Sequence, residues 1–335
     1  MVFTKRDVVD IIEQNRDALS DELQNRAERQ RRAVFGDSVY ARGLIEFTSC
    51  CKNDCRYCGI RASNKNAVRY RLSLQQILEC CETGHSLGFR TFVLQGGEDP
   101  GFSDAELCEA VSRIKERFPD TAVTLSVGER PRSVYRDFYS AGADRYLLRH
   151  ETANEEHYAK LHPPQMSLKN RKRCLYDLKD IGFQVGAGFM VGSPYQTVYD
   201  LAEDIVFLEE LDPHMVGIGP FVPHRDTEFK DFRRGSLNLT LVMLAITRLA
   251  LPKVLLPATT ALGTIAPDGR ERGIRCGANV VMPNLSPLDV REAYSLYDGK
   301  ICTGDEAAEC IMCLKRRLES VGCRLDMSRG DSPVI

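Results

Sequence analysis

Cys51, Cys55 and Cys58 stand at C-x3-C-x2-C spacing, with Tyr57 in the aromatic position before the last thiol. Three thiolates can take three irons of a four-iron cubane and leave the fourth iron without a protein ligand. That open corner lets a small chelator bind iron through an amino and a carboxylate group, as S-adenosylmethionine (SAM) does where a cluster passes an electron to a sulfonium. The competing chemistries are a zinc knuckle with a fourth ligand elsewhere, or three structural thiols. Zinc sites favour paired C-x2-4-C and C/H units, which the triplet lacks. Cys50 would give a C-x4-C register and is read as a bystander.

A second group, Cys302, Cys310 and Cys313, has C-x7-C-x2-C spacing and reads either as metal ligands or as surface or core thiols. The chain has 13 cysteines and no secretion signal, so a disulfide framework is a poor explanation and metal or redox chemistry a better one. Cys80, Cys81, Cys108, Cys174, Cys276 and Cys323 fall in helical or core positions, where a small buried hydrophobe is the default.

A formal net charge of −2, with Lys and Arg spread along helices, gives no pull toward nucleic acid or an anionic membrane. No segment approaches the length of an apolar span and the N-terminus is charged throughout, which predicts a soluble, unprocessed, cytoplasmic protein.

The elements that must position the thiols alternate in a βα rhythm. Strands are expected at 43–48, 91–95, 122–127, 144–149, 184–190, 215–219, 254–258 and 278–282. Helices are expected at 74–87, 104–118, 133–141, 168–181, 198–211 and 239–251, preceded by one or two polar helices with Asp7 as N-cap and a break at Gly36-Asp37. Repeated βα units predict parallel strands, and eight of them predict an α/β fold closed as a complete (β/α)8 TIM-type barrel. The expected organisation is an N-terminal helical extension at 1–38, the barrel at 39–298 and a C-terminal cysteine-bearing segment with a closing helix at 299–335. Residues after each strand then share the C-terminal face, where such barrels carry their chemistry.

Beyond the triplet, the motifs Val93-Leu-Gln-Gly-Gly-Glu-Asp-Pro100, Gly128-Glu129, Arg149-His-Glu-Thr-Ala-Asn154, Gly186-Ala-Gly188, Pro257-Ala-Thr-Thr-Ala261 and Arg275-Cys-Gly-Ala-Asn279 follow in order. With them the sequence resembles the radical-SAM superfamily, and more closely the HydE-type [FeFe]-hydrogenase maturases. The resemblance implies a [4Fe–4S] cluster on Cys51, Cys55 and Cys58, and SAM contacts from Tyr57, the turn Gly96-Gly97-Glu98, Thr124, Glu151 and Arg171. Glu151 is suited to the ribose hydroxyls and Arg171 to a carboxylate. It implies an accessory [2Fe–2S] or [4Fe–4S] cluster on Cys302, Cys310 and Cys313, and no catalytic residue beyond the cluster and SAM.

A small anionic substrate is expected in the barrel, against Arg145, Arg149, Thr259, Thr260, Arg275, Met282, Tyr294 and Tyr297. By the resemblance it is a cysteine-containing iron complex on the way to the hydrogenase diiron centre. An electron donor such as flavodoxin or ferredoxin, and other hydrogenase maturases, are the implied partners. The alternatives are another radical-SAM barrel enzyme, such as a methylornithine-synthase-like mutase or a biotin-synthase-like sulfur inserter, and a non-catalytic iron–sulfur or zinc carrier.

Overall fold

Short strands buried on both faces need helices on one side and filled space on the other, and the chain supplies both. A computed structural model describes residues 2–301 and 311–333. Its strands are β1 (Ser38–Ala41), β2 (Gly43–Thr48), β3 (Thr91–Gly96), β4 (Ala122–Ser126), β5 (Arg145–Leu147), β6 (Gln184–Val191), β7 (Met215–Pro220), β8 (Val280–Val281) and β9 (Arg324–Asp326). Strands β2 to β7 form one six-stranded sheet in sequence order, every pair parallel. Because side chains alternate, Phe92, Leu94, Val123 and Leu125 join the core shared with the helices, whereas Val93, Gln95, Thr124 and Ser126 take the other face.

The helices Leu74–Ser86, Asp104–Arg117 and Val198–Leu211 start where side chains close capping boxes, from Ser73, Ser103 and Thr197. Leu168–Ile181 and Val198–Leu211 have the expected bounds. At the N-terminus the cap is Thr4, and Asp7, expected as the cap, is its N3 partner. The first two helices, Lys5–Gln14 and Asp21–Phe35, lie against Val198–Leu211 and Leu237–Ala250 and put Val8, Ile12, Leu23 and Ala27 into the common core.

The seventh and eighth expected strands differ. Residues 254–258 form no regular strand and touch their neighbours through the bridges Met215↔Leu255 and Pro257↔Val280, Pro257 having no N–H to give a ladder. The eighth shrinks to β8, which pairs with the unforeseen β1 in a second sheet of order β8-β1-β9. A further bridge, Leu44↔Asn284, ties this region to β2.

The C-terminal segment seals the end of the sheet where the strands begin. Arg145, expected in the substrate cavity, is buried there at the first residue of β5. Its guanidinium meets Asp331 at 2.6 Å, the Arg329 carbonyl at 2.8 Å and Thr91 Oγ1 at 3.1 Å. This corrects the expectation: the charge is neutralised by the chain's own tail. Removing Asp331 leaves a buried guanidinium underpaired, which in full burial costs roughly 3–5 kcal/mol. Asp331 keeps 34% of its side chain exposed, so Asp331→Ala should cost about 2 kcal/mol in urea unfolding; an unchanged midpoint would refute the role given to this seal.

Candidate active site

Past Thr48 the chain leaves β2 and runs irregularly through the three cysteines to Leu72. A loop without its own ladder must be held by side chains, and Arg69 does most of it: Nη1 donates to the Ser49 and Ile60 carbonyls at 2.6 and 2.8 Å, Nη2 to those of Arg61 and Asn64 at 2.6 and 3.2 Å. Asp99 takes a two-pronged bond from Arg71 at 2.7 and 2.8 Å and one from Thr48 Oγ1 at 2.7 Å. The turn after β3 then presses on the loop. Lys52 N donates to the Glu98 carbonyl at 2.9 Å. A Cβ on Gly97 would lie 2.3 Å from the Cys50 carbonyl oxygen and 2.6 Å from Cys51 Cβ, so only glycine fits.

Burial pushes all three thiols up: Cys51 above its ordinary value, Cys55 to about 12 and Cys58 further, the last two also repelled by the other thiols of the set. Thiols in that setting ionise against a strong local cation such as bound iron. Cys50 turns aside, its Sγ 3.9 Å from the Tyr70 carbonyl. Among the described residues no three His, Cys, Asp or Glu side chains converge closely enough for one metal ion. A cubane asks for something else, three thiolates that each take a different iron.

Beside the loop opens a cleft of about 580 Å³ lined by Lys52, Asn53, Glu98, Glu129, Met166 and Asn170. Glu98 is buried, 3.3 Å from Lys52 Nζ, and accepts from Glu129 N at 2.9 Å. Arg171 is also buried, bonded through Nε to Glu129 and through Nη1 to the Arg149 carbonyl, both at 2.5 Å. Tyr57 packs on Leu161, Met190, Phe221 and Phe229 with its hydroxyl 3.2 Å from His162 Nε2. Gly96 lets β3 approach Thr48 and Phe47.

Arg149 Nη2 and Glu151 Oε2 lie 3.0 Å apart, yet off-axis, so both atoms, with Arg149 Nε, are buried without a hydrogen-bond partner. Thr259 Oγ1 is equally unpartnered and stands 3.0 Å from where a Gly219 Cβ would be. A Cβ on Gly217 would lie 3.8 Å from Arg149 Cδ. Buried polar atoms left open in this way are where a polar ligand would be received.

The other expected residues divide. Thr124 faces a small enclosed space with Arg42, Arg145 and Leu147, level with the start of β5 and away from the mouth cleft. Tyr294 is buried beside Gln95, 3.4 Å away, and Tyr297 is half-buried. Thr260 opens the helix Thr260–Ile265. Met282 packs with Phe35, Met215, Leu255 and Val280. Arg275 is a correction: it ends the outer helix Gly269–Arg275, exposed and grouped with Pro267, Glu271 and Ser320, because the chain bridges at Pro257 and turns outward before reaching it. Cys302 and Cys310 lie outside the described residues, and Cys313 is exposed on the helix Ile311–Glu319.

Two groups to which the sequence assigned no role are prominent in the structure. Glu129 is the hub of the Arg171 and Asn170 contacts, and its signal was a strand-end Gly128-Glu129. Glu46 is the only charged residue of β2 and is buried against Lys300 at 2.6 Å and Asn284 at 2.9 Å; burial raises its pKa against the pull of Lys300.

The Radical SAM superfamily pattern matches residues 45–208. Along the whole chain, the [FeFe] hydrogenase maturase subunit HydE of Thermotoga maritima is 46% identical over 320 residues, covering 96% of this chain and 91% of its own. The chain belongs to the HydE-type radical SAM family. A 3-methylornithine synthase of Methanosarcina barkeri is 30% identical to this HydE-type chain, over 91% of it and 85% of the relative. Among solved structures, methylornithine synthase superposes with a TM-score of 0.83 at 27% identity, covering 97% and 95% of the two chains. The hydrogenase maturase HydG shares the fold, with a TM-score of 0.78 at 18% identity over 97% of this chain and 77% of its own.

Gly97 gives the sharpest local test. Gly97→Ala should push the cysteine loop outward and cut iron incorporation severalfold on anaerobic reconstitution, while Gly96→Ala, whose nearest contacts are the Thr48 and Phe47 side chains, should lose less. Equal iron content in the two variants would count against the close approach.

Proposed function

We propose that this protein reductively cleaves SAM at a [4Fe–4S] cluster held by Cys51, Cys55 and Cys58, and directs the resulting 5′-deoxyadenosyl radical to a small anionic, cysteine-containing iron complex during assembly of the [FeFe]-hydrogenase diiron centre. The observation that carries this is the 46% identity to a HydE maturase over 96% of the chain, joined to a thiol triplet pressed into place by Gly97. Bound there, the cluster would supply the electron that opens the sulfonium.

The chain's own residues do the rest. Glu98 and the Gly96-Gly97 turn present backbone and carboxylate to the amino group of SAM, Glu151 receives the ribose hydroxyls, and Arg171, steadied by Glu129, faces the carboxylate. Arg149 and Thr259, with unpartnered atoms above a glycine-lined β7, hold the anionic substrate further in. The bridges at Leu255, Pro257 and Asn284 support reading the sheet as a (β/α)8 barrel completed around that interior. An accessory cluster on Cys302, Cys310 and Cys313, a flavodoxin or ferredoxin donor, partner maturases and a cytoplasmic location belong to the same reading; no described helix is long and apolar enough to cross a membrane. The second reading, a 3-methylornithine-synthase-like mutase, is favoured by the 0.83 TM-score.

Product analysis with SAM, reductant and, in separate reactions, the candidate iron–cysteine complex or lysine, the isomer of 3-methylornithine, decides between them: 5′-deoxyadenosine formation dependent on the iron complex is expected, and 3-methylornithine formed from lysine would transfer the chain to the mutases. Cys51→Ala, Cys55→Ala or Cys58→Ala should abolish SAM cleavage, whereas Cys50→Ala, or changing Cys302, Cys310 and Cys313 together, should retain it. Arg171→Ala should weaken SAM binding by about 1.5–3 kcal/mol in titration calorimetry, the scale of a lost charge-assisted bond. A folded Cys50 variant without activity would show the cysteine register to be wrong.

A further inference from the structure

The carboxylate assigned to the ribose sits on an uncommon piece of backbone. Glu151 has φ 66°, in the left-handed region that residues with a Cβ rarely adopt. Two other described non-glycine residues share a positive φ: Asp212, which caps a helix, and Tyr195, which is exposed. Glu151 alone of the three is buried in the interior. Its N–H donates to the Gly188 carbonyl at 3.0 Å and its carbonyl accepts from Met190 N at 3.3 Å, so its backbone is sewn to β6. A residue stays in such a conformation where its surroundings over-determine it.

The over-determination comes from outside the sheet. Asp204, on the helix Val198–Leu211, reaches inward, and one oxygen, Oδ1, accepts from Ala153 N at 2.6 Å and lies 3.1 Å from His150 Nε2. His150 Nδ1 accepts from Gly188 N at 3.3 Å, which leaves the proton on Nε2 to be donated to Asp204. Both side chains are fully buried, and His150 packs edge-on against Phe207 with centroids 4.9 Å apart. Burial, with the nearby cations Lys172, Arg149 and Arg171, lowers His150 and keeps it neutral; burial raises Asp204. A single carboxylate oxygen therefore grips the chain immediately before Glu151 and two residues after it.

We infer that Asp204 and His150 are positioning residues for SAM binding, clamping the chain on both sides of Glu151 in the backbone conformation that aims its carboxylate at the ribose. The inference rests on the reading of Glu151 as a SAM ligand. An ordinary buried His–Asp pair would serve packing alone. Here the three hydrogen bonds converge on residues 150, 153 and 188, which flank Glu151 or pair with it.

The test is SAM titration into the full, anaerobically reconstituted chain, with iron content, cluster absorbance and thermal midpoint measured on each variant. Asp204→Asn keeps an Oδ1 for both donors and should bind SAM within about threefold of the parent. Asp204→Leu keeps the bulk and loses both acceptors, and should weaken SAM at least about tenfold with the cluster unchanged. His150→Phe, which preserves the contact with Phe207, should behave like Asp204→Leu and serves if the leucine variant does not fold. Glu151→Gln should also weaken SAM about tenfold or more. If Asp204→Leu or His150→Phe loads cluster and binds SAM like the parent while Glu151→Gln is impaired, the clamp is wrong and the ligand assignment stands. If Glu151→Gln binds normally, the ligand assignment fails and the clamp falls with it. If Asp204→Asn is as impaired as Asp204→Leu, buried charge and not the shared acceptor is responsible, which also overturns the clamp.

Discussion

The approach of the turn after β3 to the cysteine loop is the contact on which the rest of this site depends. The loop from Ser49 to Leu72 has almost no regular ladder of its own, so its shape is imposed by what it leans on. Gly97 permits a backbone-to-backbone approach that any side chain would block, and Lys52 N completes it by donating to Glu98. Arg69 then gathers four carbonyls of the loop around one guanidinium, a task suited to its fixed planar fork. Together these contacts fix where the loop that carries the three thiols stands relative to the turn after β3.

Around that contact the protein accumulates buried charge, which is costly unless paired. Glu129 with Arg171, and Glu46 with Lys300, are paired by the chain itself. Arg145 is paired by the C-terminal tail at the opposite end of the strands. Arg149 and Glu151 are held near each other without a good hydrogen bond, and Thr259 has no partner. Closed pairs hold elements together, whereas the open atoms of Arg149, Glu151 and Thr259 are ones a ligand could complete; Arg42 Nε and Thr124 Oγ1, toward the other end of the strands, are open as well. The same low dielectric that makes the open atoms expensive would make their contacts with a charged ligand strong.

Helix positions were legible in the sequence because apolar periodicity and Ser or Thr caps are local signals, and Leu168–Ile181 and Val198–Leu211 were readable to their bounds. The sheet was legible as far as β7, since each strand is a short apolar run between turn residues. It failed at 254–258, where Pro257 interrupts the ladder, and at β1 and β9, short strands whose pairing is made across more than 200 residues. The similarity of Arg145 and Arg275 to Arg149, as cations near strand boundaries, also misled: which end of a strand a residue occupies, or whether it has already entered a helix, depends on boundaries that single-sequence patterns locate poorly.

The sequence by itself determined the chemistry available: the spacing of Cys51, Cys55 and Cys58, a Gly-Gly-Glu turn, and parallel βα units that collect their loops at one mouth. These are local properties, set by residue type and short-range spacing. Only the tertiary structure decided which polar residues face that mouth. It withdrew Arg145 and Arg275, moved Thr124 toward the other end of the strands, and brought Glu129 to Arg171 and Asp204 to both flanks of Glu151. The reason is physical: a side chain's partner across 40 or 50 residues is chosen by how strands register and helices pack, and no local pattern encodes the vector along which a buried carboxylate will point.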